Sequence, residues 1–110
     1  MNIDHTRRGA TDVLSITGRI DTTTAPQLEK ALMSTINAGQ GSVVLDLANV
    51  EYVSSAGLRV FLLGVKAMAG AARRFTLAAV SRDVLDVINL TGFQRVLTLA
   101  ETVDAACEQG

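Results

Sequence analysis

Two adjacent serines, Ser54 and Ser55, are the side chains best placed to carry chemistry in this sequence. They lie in the segment 53–57 (VSSAG), between an apolar run typical of a buried strand and an amphipathic stretch typical of a helix. Either serine can cap that helix, because serine is a preferred N-cap residue. The same position favours a phosphate, since the free N–H groups and the dipole of a helix start attract anions. The small Ala56 and Gly57 leave both hydroxyls open to approach by another protein.

A second chemistry for these serines is that of a hydrolase nucleophile. A nucleophile elbow has the pattern Gly-x-Ser-x-Gly after a strand, and Val53 occupies the position of its first glycine. A serine nucleophile also needs a base beside it. The one histidine, His5, lies near the N-terminus in a predicted edge strand, where we expect a solvated surface residue. We therefore predict that the chain is not an enzyme, with a small serine-dependent enzyme as the distant alternative.

The sequence pattern does not indicate a phosphate-binding loop or a metal site. The glycine pair Gly39 and Gly41 follows a predicted helix and has no Lys-Ser/Thr pair after it, so it predicts a turn. The acidic residues are dispersed without ligand spacing, and the one cysteine, Cys107, can complete neither an internal disulfide nor a zinc set. We expect the chain to bind no metal and no cofactor of its own.

Length and composition limit the classes of function further. The 110 residues suit a single domain spanning 1–110, and 48% hydrophobic residues are enough for a core. Ten basic and eleven acidic residues leave a net charge of −1, which argues against nucleic acid as a partner. The longest apolar stretch, residues 60–65, is far shorter than the ~20 residues of a membrane span. We predict a cytoplasmic protein without membrane insertion.

Hydrophobic periodicity predicts an α/β fold that positions the two serines. Strands alternate with helices, which indicates parallel pairing through right-handed crossovers, and a short first strand adds an antiparallel N-terminal edge. We predict a mixed four- to five-stranded sheet, mostly parallel, with four helices packed against it. The predicted strands are residues 3–6, 13–17, 43–47, 75–80 and 96–99, and the predicted helices begin near residues 24, 55, 81 and 101 and end near residues 39, 69, 92 and 108.

The first two predicted helices carry signals of how they begin and pack. Thr24 and Gln27 have the spacing of a capping box, with Pro26 in the first turn. In the second helix, Val60 and Leu63 beside Arg59 form either an exposed apolar strip for docking or part of the core. The residues predicted to share one core are Leu45, Leu47, Leu58, Phe61, Leu62, Val65, Leu77 and Ile88.

Four motifs, in order along the chain, give the sequence its resemblance to a known family. They are residues 18–21 (GRID), 44–50 (VLDLANV), 52–58 (YVSSAGL) and 90–93 (LTGF). The sequence resembles the STAS domains over nearly its whole length, and among them the single-domain anti-sigma factor antagonists of bacteria. The resemblance implies a STAS-like sheet and a protein that acts as a binding partner and a kinase substrate.

The resemblance also implies which residues form the site. The family motif resembles Asp-Ser-Ser/Thr-Gly-Leu, and alignment on its glycine places the phosphorylated serine at Ser55. Ser54 then replaces the aspartate of the family and becomes the alternate acceptor, while Ala56 replaces its second hydroxyl residue. The implied partner surface comprises Asp21, Thr22, Thr23, Ser54, Ala56, Gly57 and Arg59.

The mechanism that the resemblance implies is partner switching. The unphosphorylated protein binds an anti-sigma factor serine kinase, which uses its own ATP and magnesium to phosphorylate Ser55 and thereby releases the complex. A PP2C-type phosphatase resets the cycle. The alternative within the family is a docking subunit of a transport or stress-signalling complex, in which no serine is phosphorylated.

Overall fold

The computed structural model describes residues 1–109 and contains one five-stranded mixed sheet. The strands lie in the order β1-β2-β3-β4-β5; β1 is antiparallel to β2, and the other neighbours are parallel. This confirms the predicted fold class. In chain order the elements are β1 (Asn2–Arg8), β2 (Thr11–Ile20), α1 (Ala25–Ala38), β3 (Val43–Val53), α2 (Ser55–Gly70), β4 (Phe75–Ala78), α3 (Arg82–Thr91), a short 3-10 turn (Phe93–Arg95), β5 (Thr98–Ala100) and α4 (Val103–Gln109).

The helices cover the sheet unequally. Buried side chains of α1, α2 and α3 join one large cluster with the inward residues of the strands, whereas α4 packs through Ala106 onto Val13 and Val44 on the opposite face. The predicted core is confirmed, with Leu62 and Val65 only partly buried against it. The six predicted core residues that are fully buried are Leu45, Leu47, Leu58, Phe61, Leu77 and Ile88.

The structure tests the expectations about the first two helices. Thr24 occupies the N-cap position of α1, but its side chain makes no capping hydrogen bond, because its hydroxyl accepts from the backbone N–H of Asp21 and donates to the carbonyl oxygen of Arg19. Pro26 lies in the first turn, as predicted. Of the two alternatives for Val60 and Leu63, the structure supports the core: Val60 is 1% exposed and Leu63 is half-buried.

β3 extends six residues past its predicted end, pairs with β2 as far as Val53, and shifts its register against β2 twice. The shifts fall between Ser15 and Thr17 and between Gly18 and Arg19 of β2. Each shift adds one residue to β3, in the manner of a β-bulge. The residues of β3 that point into the large core are therefore spaced by two and then by three: Val43, Leu45, Leu47, Val50 and Val53.

The helices of residues 1–109 are all too short or too polar to cross a bilayer.

Candidate partner-binding and phosphorylation site

The two predicted site segments meet where β2 and β3 end. Ile20 pairs with Val53 in the last rung of the parallel ladder. The next residue, Ser54, donates its backbone N–H to the carbonyl oxygen of Ile20 at 2.8 Å. The loop that begins at Asp21 and the start of α2 therefore lie side by side, as the resemblance implies for a shared surface.

Ser54 is the N-cap of α2. Its backbone is extended, with φ −85° and ψ 175°, and its Oγ accepts a hydrogen bond from the backbone N–H of Gly57 at 3.4 Å. Its carbonyl oxygen accepts the first helical bond, from Leu58 at 3.0 Å. The half-buried Ser54 hydroxyl is thus occupied by the helix that it starts.

Ser55 is the first residue of α2 and is exposed. Within residues 1–109, no hydrogen bond engages its hydroxyl. This bears out the prediction that Ser55 lies at the surface at the start of a helix. Of the two serines, Ser55 is the one whose oxygen is free to react with an incoming group.

Gly57 lets the first turn of α2 approach the strand ends closely. A Cβ at this position would lie 2.7 Å from Cγ2 of Ile20 and 2.8 Å from Cγ1 of Val53. Real Cβ atoms are not found at such distances, so only glycine fits without displacing both neighbours. Gly57 is buried and Ala56 is half-buried, and their predicted contact with a partner stays a prediction.

Asp21 organises the loop beside Ser54. Its Oδ1 accepts from the Thr23 hydroxyl at 2.7 Å and from the backbone N–H groups of Thr23 and Thr24 at 2.9 and 3.1 Å. These bonds, with that from the Thr23 hydroxyl contributing most, lower the pKa of Asp21 below its ordinary value. The loop therefore presents a fixed anion, with Thr22 and Thr23 exposed next to it.

Two arginines flank the site. Arg59 is exposed on the second turn of α2, as expected for a partner-binding residue. Arg19 lies over the ring of Tyr52, with its guanidinium carbon 4.3 Å from the ring centre. Local sequence patterns do not indicate this cation–π pair. Arg19 and Tyr52 are direct partners across the β2–β3 ladder, but their pairing follows only once both register shifts are known.

The histidine lies far from the serines. His5 pairs with Leu14 on β2, six residues before Ile20, which corresponds to roughly 20 Å along the strand. Its Nε2 is hydrogen-bonded at 2.8 Å to Oδ1 of the buried Asp12. His5 is half exposed, but it serves this bond rather than a nucleophile. The geometry therefore offers Ser55 no imidazole base within residues 1–109.

Metal-ligating residues do not converge at the site. No group of three or more His, Cys, Asp or Glu side chains within residues 1–109 is arranged to hold a metal ion.

Comparison with known proteins identifies the family. The sequence model of the STAS domain matches residues 2–106, which is nearly the whole chain. The chain belongs to the STAS domain family. Its five-stranded mixed sheet is thus the sheet of a STAS domain.

This STAS domain is similar to several anti-sigma factor antagonists. It is 33% identical to BtrV of Bordetella bronchiseptica, named as an anti-sigma factor antagonist, over 86% of this chain and 81% of BtrV. It superposes on an anti-sigma factor antagonist from Mycobacterium paratuberculosis with a TM-score of 0.89 and 27% identity, covering 98% of this chain and 92% of the other.

The same fold is found in the Bacillus anti-sigma factor antagonist SpoIIAA, which has been solved in two states. The unphosphorylated form gives a TM-score of 0.82 at 18% identity, over 98% of this chain and 95% of SpoIIAA. The phosphorylated form gives 0.74 at 16% identity, over 98% of both chains. At these identities the likeness concerns the fold.

Proposed function

We propose that this STAS domain is an anti-sigma factor antagonist that works by partner switching, with Ser55 as the residue that is phosphorylated. The observation that carries the proposal is the division of roles between the two serines. Ser54 uses its hydroxyl to cap α2, whereas the exposed Ser55 hydroxyl has no hydrogen bond within residues 1–109. Its similarity to BtrV over most of both chains supports the same function.

The unphosphorylated surface suits a protein partner. The loop at Asp21 supplies a fixed carboxylate and the exposed Thr22 and Thr23, and α2 supplies Ser55 and the cation of Arg59. The partner is an anti-sigma factor that is also a serine kinase. ATP and magnesium are held by that kinase, and the STAS domain contributes the acceptor hydroxyl and the docking surface.

Phosphate on Ser55 weakens the complex for two reasons. It adds a charge of about −1.5 to −2 on a surface that already holds the ionised Asp21, so an interface that fits one anion must accommodate a second. The phosphate also loses part of its hydration when the partner covers it, which costs binding energy. The partner is then released, and a PP2C-type phosphatase in the cytoplasm restores the Ser55 hydroxyl.

Phosphosite mapping with the cognate anti-sigma factor kinase tests the proposal. We expect mass spectrometry to find phosphate on Ser55 in the wild type and in Ser54→Ala, and on neither serine in Ser55→Ala. We also expect Ser55→Ala to stay bound to the kinase in the presence of ATP. Phosphate on Ser54 instead of Ser55 would overturn the assignment of the acceptor. A kinase that binds but modifies neither serine would identify a docking subunit.

A shape-matched pair of variants that differ in charge tests the release step. Ser55→Asp adds one negative charge, and Ser55→Asn adds a side chain of nearly the same shape without charge. We expect Ser55→Asp to bind the kinase more weakly than Ser55→Asn, because repulsion and desolvation act on the charge alone. Equal affinity of the two variants would show that bulk rather than charge weakens the complex.

A further inference from the structure

Arg59 lies one helical turn after Ser55 and is not engaged elsewhere. Both residues are on α2, four positions apart, and both are exposed. Across residues 1–109, no ion pair, hydrogen bond or ring contact involves Arg59. The first turn of α2 contains no acidic residue that could pair with it. Arg59 is therefore a free cation beside the proposed acceptor.

Helix geometry directs Arg59 toward Ser55. Residues at i and i+4 share one face of a helix, and long side chains lean toward the helix N-terminus. The guanidinium of Arg59 can therefore reach back over the first turn, where a phosphate on Ser55 would lie. Ser54 has no such neighbour, because it precedes the helix and the residue four positions later is the buried Leu58.

The other charged side chains beside Ser55 do not compete for this role. Arg19 lies on the ring of Tyr52, and Asp21 is an anion held by Thr23 and Thr24. A phosphate at Ser55 thus has the anion Asp21 in the neighbouring loop and one unengaged cation, Arg59, in the first two turns of its own helix.

We propose that Arg59 captures the phosphate when Ser55 is phosphorylated and is thereby withdrawn from the partner surface. The guanidinium fork is suited to this because it can donate two parallel hydrogen bonds to phosphate oxygens. Phosphorylation then changes the surface twice, by adding an anion and by removing a free cation that the partner contacts. The inference rests on the proposed function, since it takes Ser55 as the acceptor.

The capture is tested on protein that carries phosphoserine at position 55, introduced by genetic-code expansion so that no kinase is needed. Phosphorus NMR follows the second ionisation of the phosphate. A neighbouring cation favours the dianion, so Arg59→Gln should raise the titration midpoint by roughly 0.2–0.4 pH units relative to the wild type. Arg59→Lys should retain part of the effect, and 1 M salt should reduce it.

Lys66→Gln is the matched control. Lys66 is an exposed cation on the same helix, about 16 Å from Ser55 along the helix axis. Its removal should therefore leave the midpoint unchanged. A midpoint that is equal in Arg59→Gln and the wild type would overturn the capture. A midpoint that rises equally in Lys66→Gln would also overturn it, because the effect would then be one of net charge.

The contribution of Arg59 to partner binding is measured on the unphosphorylated protein. Arg59→Gln should weaken binding to the kinase roughly two- to five-fold, as expected for an exposed charge pair, and Lys66→Gln should not. Unchanged affinity of Arg59→Gln for the kinase would overturn the proposal that phosphorylation withdraws Arg59 from the partner. These outcomes are distinct from failure of the proposed function, which would appear as a kinase that binds the wild type but leaves Ser55 unmodified.

Discussion

The backbone N–H of Ser54 donates a hydrogen bond of 2.8 Å to the carbonyl oxygen of Ile20. This bond fixes the residue after β3 against the end of β2 and leaves the Ser54 hydroxyl facing the first turn of α2. The next residue, Ser55, then begins the helix with its side chain at the surface. The two adjacent serines therefore differ in what their side chains do, since Ser54 caps α2 and Ser55 is exposed.

This separation predicts unequal effects of two alanine substitutions on stability. Ser54→Ala removes the N-cap and should lower the free energy of unfolding by about 0.5–2 kcal/mol. Ser55→Ala removes no hydrogen bond within residues 1–109 and should change it by less than about 0.5 kcal/mol. Urea denaturation of the two variants measures both values. A larger loss for Ser55→Ala would assign the cap to Ser55.

Gly57→Ala should destabilise the domain because the new methyl group meets Ile20 and Val53 at less than 3 Å. Overpacking of this kind costs about 1–3 kcal/mol. Gly70→Ala is the control: Gly70 ends the same helix, and a Cβ there meets nothing within 4 Å. It should be neutral or stabilise by up to about 1 kcal/mol. Equal thermal midpoints for both variants would show that the strand ends yield to the methyl group.

Asp12 makes the stability of the domain depend on pH. Burial raises the pKa of Asp12, but the hydrogen bonds from His5 and Arg7 outweigh it, and the pKa is lowered in the folded state. The stabilisation is therefore present above the unfolded pKa of about 4 and is lost as pH falls through the lower folded value. Asp12→Asn should cost about 1–3 kcal/mol at pH 7.

The pH dependence supplies the control for this prediction. The difference in unfolding free energy between wild type and Asp12→Asn should shrink as pH falls from about 5 to below 3, because both then carry a neutral side chain. Asp4→Asn removes an exposed carboxylate from the same edge strand pair and should change stability little at either pH. A difference that is constant with pH would mean that Asp12 acts through packing alone.

Phe61 and Leu62 should differ in their contribution to stability although they are adjacent on α2. Phe61 is 0% exposed, whereas Leu62 is only partly buried at the margin of the core. Phe61→Ala should cost about 3–5 kcal/mol, and Leu62→Ala clearly less. Denaturant unfolding of the two variants compares them directly. A larger cost for Leu62→Ala would mean that the helix is rotated about its axis.

The ends of α3 illustrate what the sequence predicts well. Ser81 caps its start, since its Oγ accepts from the backbone N–H of Val84 at 3.4 Å. Gly92 ends it with a left-handed φ of 79°, a conformation that suits glycine. Both signals act within three or four residues of the helix end. The local sequence is therefore enough to predict both ends of α3.

The full length of β3 illustrates what the sequence does not reveal. The predicted strand 43–47 ends six residues before Val53. Beyond Leu47 the inward residues are spaced by three, which is not the spacing of a regular strand. This spacing depends on the register of β3 against β2, another segment of the chain. The pattern of residues within β3 alone therefore does not predict it.

The candidate site likewise has features that the local sequence predicts and features that it does not. The neighbouring residues predict that Ser54 and Ser55 lie at the start of a helix, because the strand, the serines and the helix are contiguous in the sequence. The choice of Ser55 between them comes from the family resemblance. The role of Thr24 was predicted wrongly, since its hydroxyl bonds to the carbonyl oxygen of Arg19 five residues earlier instead of to its own helix. The stacking of Arg19 on Tyr52 was missed, because it joins two strands whose register local patterns do not fix.

The two register shifts in β3 also determine where this strand can lose a residue without moving the site. At each shift β3 has one residue more than β2 between consecutive rungs of the ladder. Losing that extra residue would restore regular pairing and leave every later pair in place, including Ile20 with Val53. The position of Ser54 beside Ile20 is therefore set by the rungs of the ladder and not by the number of residues in β3.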